Sequence, residues 1–76
     1  MTDDNLEVGD FFVVPSEQPG GKTYKVVRFS TFKGNYMDGY LVITYEEPDG
    51  CAWTMGMYGF RRQGYAKVPE EEAGWA

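Results

Sequence analysis

A tight turn at Pro48-Asp49-Gly50 lies between two runs of alternating polarity, and it constrains the fold more than any other feature of the chain. A three-residue loop, with Gly50 in a left-handed conformation, aligns the two runs so that large apolar side chains meet on one face. A four-residue loop would mix apolar and polar residues on both faces. The sequence therefore predicts a β-hairpin whose core face pairs Tyr45 with Trp53, Ile43 with Met55 and Leu41 with Met57.

The opposite face of this hairpin is polar near the turn and aromatic far from it. Its predicted pairs are Glu46 with Ala52, Thr44 with Thr54, Val42 with Gly56 and Tyr40 with Tyr58. Because a solvated sheet face is normally polar, the aromatic end predicts either a covering segment of the chain or a binding surface. The predicted partner-binding residues are Tyr40, Tyr58, Phe60, Tyr36 and Trp75.

Short runs rich in Val, Ile, Tyr and Phe, separated by Gly, Pro, Asp and Asn, recur along the chain, and helical periodicity is nowhere sustained. The predicted fold class is all-β, as a small antiparallel five-stranded barrel or strongly bent sheet. Gly56 and Gly59 would mark bulges or bends that help such a sheet to close. The predicted strands lie near residues 10–14, 23–32, 40–46, 51–60 and 65–68.

A length of 76 residues predicts a single domain, 1–76, with a small core. The chain has one cysteine, Cys51, which excludes an internal disulfide, so a homodimer is one expected way to complete the core. The net charge is −5, and seven of the twelve acids lie in the first ten or last seven residues. These short acidic termini, 1–8 and 70–76, are expected to be peripheral or flexible.

The N-terminal residues lack the basic and apolar regions of a signal peptide, and no apolar run approaches the roughly 20 residues that cross a bilayer. The sequence therefore predicts a soluble cytoplasmic protein with no membrane partner. Histidine is absent, which removes the commonest general base and metal ligand. Cys51 has no histidine to activate it, and the acidic pairs and runs are typical of solvated surfaces. We expect no enzymatic activity, no catalytic residue, no cofactor and no metal.

Basic and aromatic residues are interleaved in residues 22–36 and 58–67, and neither stretch contains an acid. Exposed rings beside a positive groove are typical of proteins that bind single-stranded nucleic acids. Core rings with basic side chains at their rim would give the same pattern, so both interpretations remain open. The nucleic-acid contacts that this alternative predicts are Lys25, Arg28, Lys33, Arg61, Arg62 and Lys67.

The segment Leu6-Glu7-Val8-Gly9-Asp10-Phe11, followed by a second strand beginning Tyr24-Lys25-Val26-Val27, resembles small SH3-like β-barrels of bacteriophages and mobile elements. This resemblance implies a barrel that binds proteins or nucleic acids and rarely performs chemistry, and it carries over no functional residue. The leading hypothesis is a non-catalytic, phage-type accessory factor that engages or inhibits a host protein in the host cytoplasm. The alternatives are a single-stranded nucleic-acid-binding barrel and a structural homo-oligomer subunit. Trp75 either folds back onto the sheet or is offered to a partner, and both remain open.

Overall fold

The computed structural model describes residues 6–32 and 40–75. The strands are β1 (Phe11–Val13), β2 (Tyr24–Phe32), β3 (Tyr40–Glu46), β4 (Ala52–Gly56) and β5 (Ala66–Val68). They form one antiparallel five-stranded sheet in the order β4-β3-β2-β1-β5. The α-helix α1 (Met57–Gln63) joins β4 to β5, and short 3₁₀ turns lie at Pro15–Glu17 and Glu70–Glu72.

The predicted all-β class is broadly correct, with one helix added. The two edge strands, β4 and β5, are not paired with each other in the described residues, so the sheet is not closed into a barrel there. Within the same residues, no helix has the length and apolarity needed to cross a membrane.

The hairpin between β3 and β4 has the predicted three-residue loop. Gly50 has a φ of 96°, its N–H donates to the Glu47 carbonyl at 2.9 Å, and the Glu47 N–H donates to the Cys51 carbonyl at 2.8 Å. This turn sets the predicted register of the strands. The observed pairs are Tyr45 with Trp53, Ile43 with Met55, Glu46 with Ala52, Thr44 with Thr54 and Val42 with Gly56.

Replacing Gly50 with valine is expected to lower the free energy of unfolding by about 1–3 kcal/mol, because a β-branched side chain is strained at this positive φ. The matched control is Ala52→Val, which places the same side chain at an exposed strand position nearby, where valine is favoured. Urea unfolding of the two variants checks this. If Gly50→Val and Ala52→Val had equal free energies of unfolding, valine would not be strained at position 50 and the positive φ would be wrong.

The predicted fourth strand is too long. Pairing with β3 stops at Val42 and Gly56, and the chain then turns into α1. The predicted pairs Leu41 with Met57 and Tyr40 with Tyr58 are therefore wrong, and Gly59 lies in the helix instead of marking a bulge. The observed irregularity of register lies in β2, between Val26 and Arg28.

The core lies on one face of the sheet and is closed by α1. The Phe12 ring is at its centre, with its centroid 5.1 Å from that of Phe60 and 5.3 Å from those of Tyr24 and Tyr45. Burying such a side chain contributes about 1.5–3 kcal/mol, and edge-to-face ring contacts add to this. The buried residues of the core cluster are Phe12, Val14, Tyr24, Val26, Ile43 and Phe60.

Four of the six predicted core-face residues of the hairpin belong to this core. Ile43 is fully buried, and Tyr45, Met55 and Met57 pack against the cluster. The other two predictions are wrong, since Leu41 is 41% exposed and Trp53 is 52% exposed. Trp53 lies on β4, an edge strand, where the sheet offers no neighbouring strand on its outer side within the described residues.

Trp75 folds back onto the sheet, which is one of its two predicted alternatives. Its indole N–H donates to the Thr23 carbonyl at 3.1 Å, and its ring meets the edge of the Phe11 ring at a centroid distance of 5.5 Å. The Lys25 ammonium lies 5.9 Å from the Phe11 ring centroid and 6.0 Å from that of Trp75. The C-terminal segment therefore covers β1 and the start of β2.

Candidate functional site

The predicted aromatic binding surface is not formed as expected. Tyr40 on β3 is 39% exposed and Tyr58 on α1 is 76% exposed, but Phe60 is fully buried. The prediction that Phe60 is exposed is wrong because α1 turns this side chain into the core, where an extended strand would have left it outside. Trp75 packs against Phe11, and Tyr36 lies outside the described residues.

The predicted nucleic-acid contacts lie in several places. Arg61 and Lys67 line one concavity together with Tyr65. Lys25 lies beside the Phe11 and Trp75 rings, and Arg28 is an exposed residue of β2. Lys33 lies outside the described residues.

Arg62 and Lys67, like Lys25, have partners within the protein. The Arg62 guanidinium lies 5.7 Å from the Tyr58 ring centroid, and its Nη1 donates to the Tyr58 hydroxyl at 3.3 Å. The Lys67 ammonium lies 3.3 Å from a carboxylate oxygen of Asp10. The ring face of Tyr58 that Arg62 covers is thus already engaged by a cation.

A different group of residues combines charge with exposed aromatic surface, and we call it the acid–aromatic cluster. It lines a small cavity of about 190 Å³ beside the β3–β4 turn. Its members come from the 3₁₀ turn after β1, from β2, from β3, from the hairpin turn and from β4, and the sheet register brings them together. They are Glu17, Tyr24, Tyr45, Glu47 and Trp53.

Glu47 is the buried anion of the cluster, with 6% of its surface exposed. The Lys22 ammonium lies 2.5 Å from its Oε1, and the Trp53 indole N–H donates to its Oε2 at 2.6 Å. The hydrogen bond from Lys22, followed by that from Trp53, lowers the pKa of Glu47 below its usual value of 4.5. The same contact raises the pKa of Lys22. The pair is therefore charged at neutral pH and holds the indole ring of Trp53 in place.

The two tyrosines of the cluster are neutral hydrogen-bonding groups at neutral pH. Burial, and then a 3.0 Å hydrogen bond from its hydroxyl to Glu17 Oε1, raises the pKa of Tyr24 to about 12. Burial also raises the pKa of Tyr45, and the charges of Glu17 and Glu47 add to this effect. The Tyr24 and Tyr45 rings meet edge to face at a centroid distance of 5.1 Å, so the wall of the cavity is tightly packed.

Negative charge is in excess around this cavity. Glu17, Glu47 and the nearby turn residue Asp49 contribute three negative charges, and among the described residues the salt bridge to Glu47 comes from one cation, Lys22. No group of three or more His, Cys, Asp or Glu side chains in the described residues could hold a metal ion. The pKa of the exposed Cys51 thiol is raised, chiefly by the negative charge of Asp49, which keeps the thiol protonated. The arrangement suits non-covalent recognition of a cation.

The sequence did not predict this cluster. The alternating pattern placed Trp53 on the core face, and Glu47 belongs to an acidic pair of a kind typical of solvated surfaces. The available signal was the hairpin register, which places Tyr45 beside Trp53 on one face. The sequence did not indicate that Lys22, which lies 25 positions before Glu47, would reach its carboxylate.

Comparison with known proteins finds no counterpart: no family model, no curated protein and no solved structure matches this chain. The interpretation of the acid–aromatic cluster therefore depends on its geometry and charge.

Proposed function

We propose that this chain is a non-catalytic binding protein whose acid–aromatic cluster receives a cationic, extended segment of a protein partner. The observation that carries the proposal is Trp53, which is 52% exposed although its indole N–H is fixed by the buried Glu47 carboxylate. A large ring held in one orientation loses little conformational entropy on binding, and tryptophan is among the residues that dominate interface energies.

The chemistry of the cavity selects the class of ligand. Lysine and arginine side chains bind over tryptophan and tyrosine rings, and the excess of carboxylates around the cavity strengthens this preference. Glu17 is exposed and uses one oxygen for the Tyr24 hydroxyl, which leaves its other oxygen for a guanidinium or ammonium group. Grooves lined by aromatic residues are a recurrent site for extended peptides.

The proposal is tested with two peptides of equal length, one containing Arg, Lys and Pro and the other with Glu at each basic position. The basic peptide is expected to bind and to shift the Trp53 indole N–H signal in NMR spectra, whereas the acidic peptide is not. Trp53→Ala and Glu17→Gln should each weaken the basic peptide at least about tenfold, because each removes a direct contact. Tyr58→Ala is the matched control, since Tyr58 is 76% exposed and lies outside the cluster. Equal binding of both peptides, or an equal loss in the control, would contradict the proposal.

The alternative function is binding of single-stranded nucleic acid. It is favoured by the concavity of about 580 Å³ that Arg61, Tyr65 and Lys67 line together. A ring beside two cations suits a stacked base and its phosphate. Under this alternative, Arg61→Ala combined with Lys67→Ala should abolish oligonucleotide binding, and the binding of the unmodified protein should weaken steeply with salt.

The leading proposal also includes the fold class and role that the resemblance of residues 6–11 and 24–27 implies. These are an SH3-like barrel class and a phage-type role directed at a host protein.

A further inference from the structure

The outer edge of β4 offers an open row of backbone hydrogen-bonding groups. In an antiparallel ladder, hydrogen-bonded and non-hydrogen-bonded pairs alternate. Since the Glu47 N–H bonds to the Cys51 carbonyl, the next hydrogen-bonded pair is Tyr45 with Trp53. Ala52 and Thr54 therefore direct their N–H and C=O groups away from β3, and Gly56 directs its N–H there. The Gly56 carbonyl accepts the first hydrogen bond of α1. No strand covers this edge within residues 6–32 and 40–75.

This edge carries none of the features that usually protect a free strand. The β4 sequence, Ala-Trp-Thr-Met-Gly, has no charged residue and no proline, and its pairing with β3 is regular. The other edge strand, β5, is only three residues long, contains Lys67 and is followed by Pro69. The two edges therefore differ, and β4 is the one suited to pairing.

We propose that β4 pairs antiparallel with β4 of a second copy of this chain, about a two-fold axis at Thr54. Each Thr54 then lies opposite Thr54 of the second copy, and each Ala52 lies opposite Gly56. These pairs give about four backbone hydrogen bonds, two between the Thr54 residues and one from each Gly56 N–H to the Ala52 carbonyl of the second copy. They join the two sheets into one. The proposal goes beyond the ligand assigned to the acid–aromatic cluster and does not depend on it.

The side chains at this edge complement one another under the two-fold operation. Trp53, which is 52% exposed, lies opposite the half-buried Met55 of the second copy. This is a non-hydrogen-bonded pair, in which side chains approach closely, and methionine sulfur makes favourable contacts with aromatic rings. Each copy thereby supplies a methionine to the rim of the other copy's acid–aromatic cluster.

Charge favours the antiparallel arrangement with a second copy. The acids of the hairpin, Glu46, Glu47 and Asp49, precede β4, whereas residues 50–69 contain no acid and include the exposed Arg61 and Arg62. Antiparallel pairing brings the acidic turn of one copy towards the basic helix of the other. Parallel pairing would place like charges together, which disfavours it.

The test uses sedimentation equilibrium of the full chain from about 1 μM to about 1 mM. The unmodified protein is expected to approach twice the monomer mass of 8.6 kDa as its concentration rises. Thr54→Lys and Thr54→Glu should each raise the dimer dissociation constant at least about tenfold, because each places two like charges opposite one another. An equimolar mixture of the two variants should dimerise again, since only a residue that faces itself can be rescued in this way. Ala66→Lys on β5 is the matched control and should leave dimerisation unchanged.

A second variant tests the same edge in case the Thr54 variants do not fold. Thr54 shares a 3.2 Å hydrogen bond with the buried Thr44, so circular dichroism must show that both Thr54 variants are folded. If they are not, Ala52→Lys tests the same edge from an exposed position without this bond. A monomeric unmodified protein at the highest concentration, or a folded edge variant that dimerises as before, would overturn the proposal. Glu17→Gln should leave the dimer intact, which separates this result from that of peptide binding.

Discussion

Replacing Phe60 with alanine is expected to lower the free energy of unfolding by about 3–5 kcal/mol, a large part of the stability of a small domain. Phe60 is fully buried, and its ring centroid lies 5.1 Å from that of Phe12, 5.0 Å from that of Tyr65 and 6.0 Å from that of Tyr45. Its removal leaves a cavity between α1 and the sheet, where the surrounding rings are too rigid to collapse fully. Urea unfolding followed by circular dichroism measures the loss.

The matched control is Tyr58→Ala in the same helix. Tyr58 is 76% exposed, so its removal should change the free energy of unfolding by no more than about 0.5 kcal/mol. Both variants place alanine in α1, so the comparison separates the loss of packing from any change in helix propensity. If Tyr58→Ala were the more damaging change, the orientation of α1, with Phe60 towards the core and Tyr58 towards solvent, would be wrong.

The hairpin could be predicted from sequence because its determinants are local. Pro48, Asp49 and Gly50 select the turn, and the turn and the alternating pattern of the strands agree on one register. The same alternating pattern wrongly predicted that Trp53 is buried. Alternation identifies the face on which a side chain lies, but burial also requires a neighbouring strand, and β4 is at the edge of the sheet.

The helix α1 could not be predicted for a physical reason. Seven residues are too few to be stable as an isolated helix or to show a clear helical period, and the sequence includes Gly59, Tyr58 and Phe60, which are poor or indifferent helix formers. Packing of Phe60 against the core stabilises the helix, so the determinant is tertiary. The same holds for the acid–aromatic cluster, whose central contact joins Lys22 and Glu47 across 25 positions.

Replacing Glu47 with glutamine is expected to destabilise the fold near neutral pH and to have less effect in acid. The pKa of Glu47 is lowered in the folded state, so its contribution is fully present above the unfolded value of about 4.5 and is lost as the pH falls through the lower folded value. The pKa of Lys22 is raised, so its contribution is present below about 10.5 and is lost as the pH rises through the folded value. Glutamine still accepts a hydrogen bond from Trp53 but offers no charge to Lys22.

The difference in unfolding free energy between the unmodified protein and Glu47→Gln should therefore shrink as the pH is lowered from about 7 to about 3. Glu71→Gln makes the same chemical change at an exposed position of the 3₁₀ turn near the C-terminus, and it should show little difference at any pH. A difference for Glu47→Gln that stayed constant over this range would mean that Glu47 acts through its shape and its bond to Trp53, not through its charge. In that case the indole would still be held in place, and the Glu47 carboxylate, which is ionised at neutral pH, would still add to the negative charge that favours a cationic ligand.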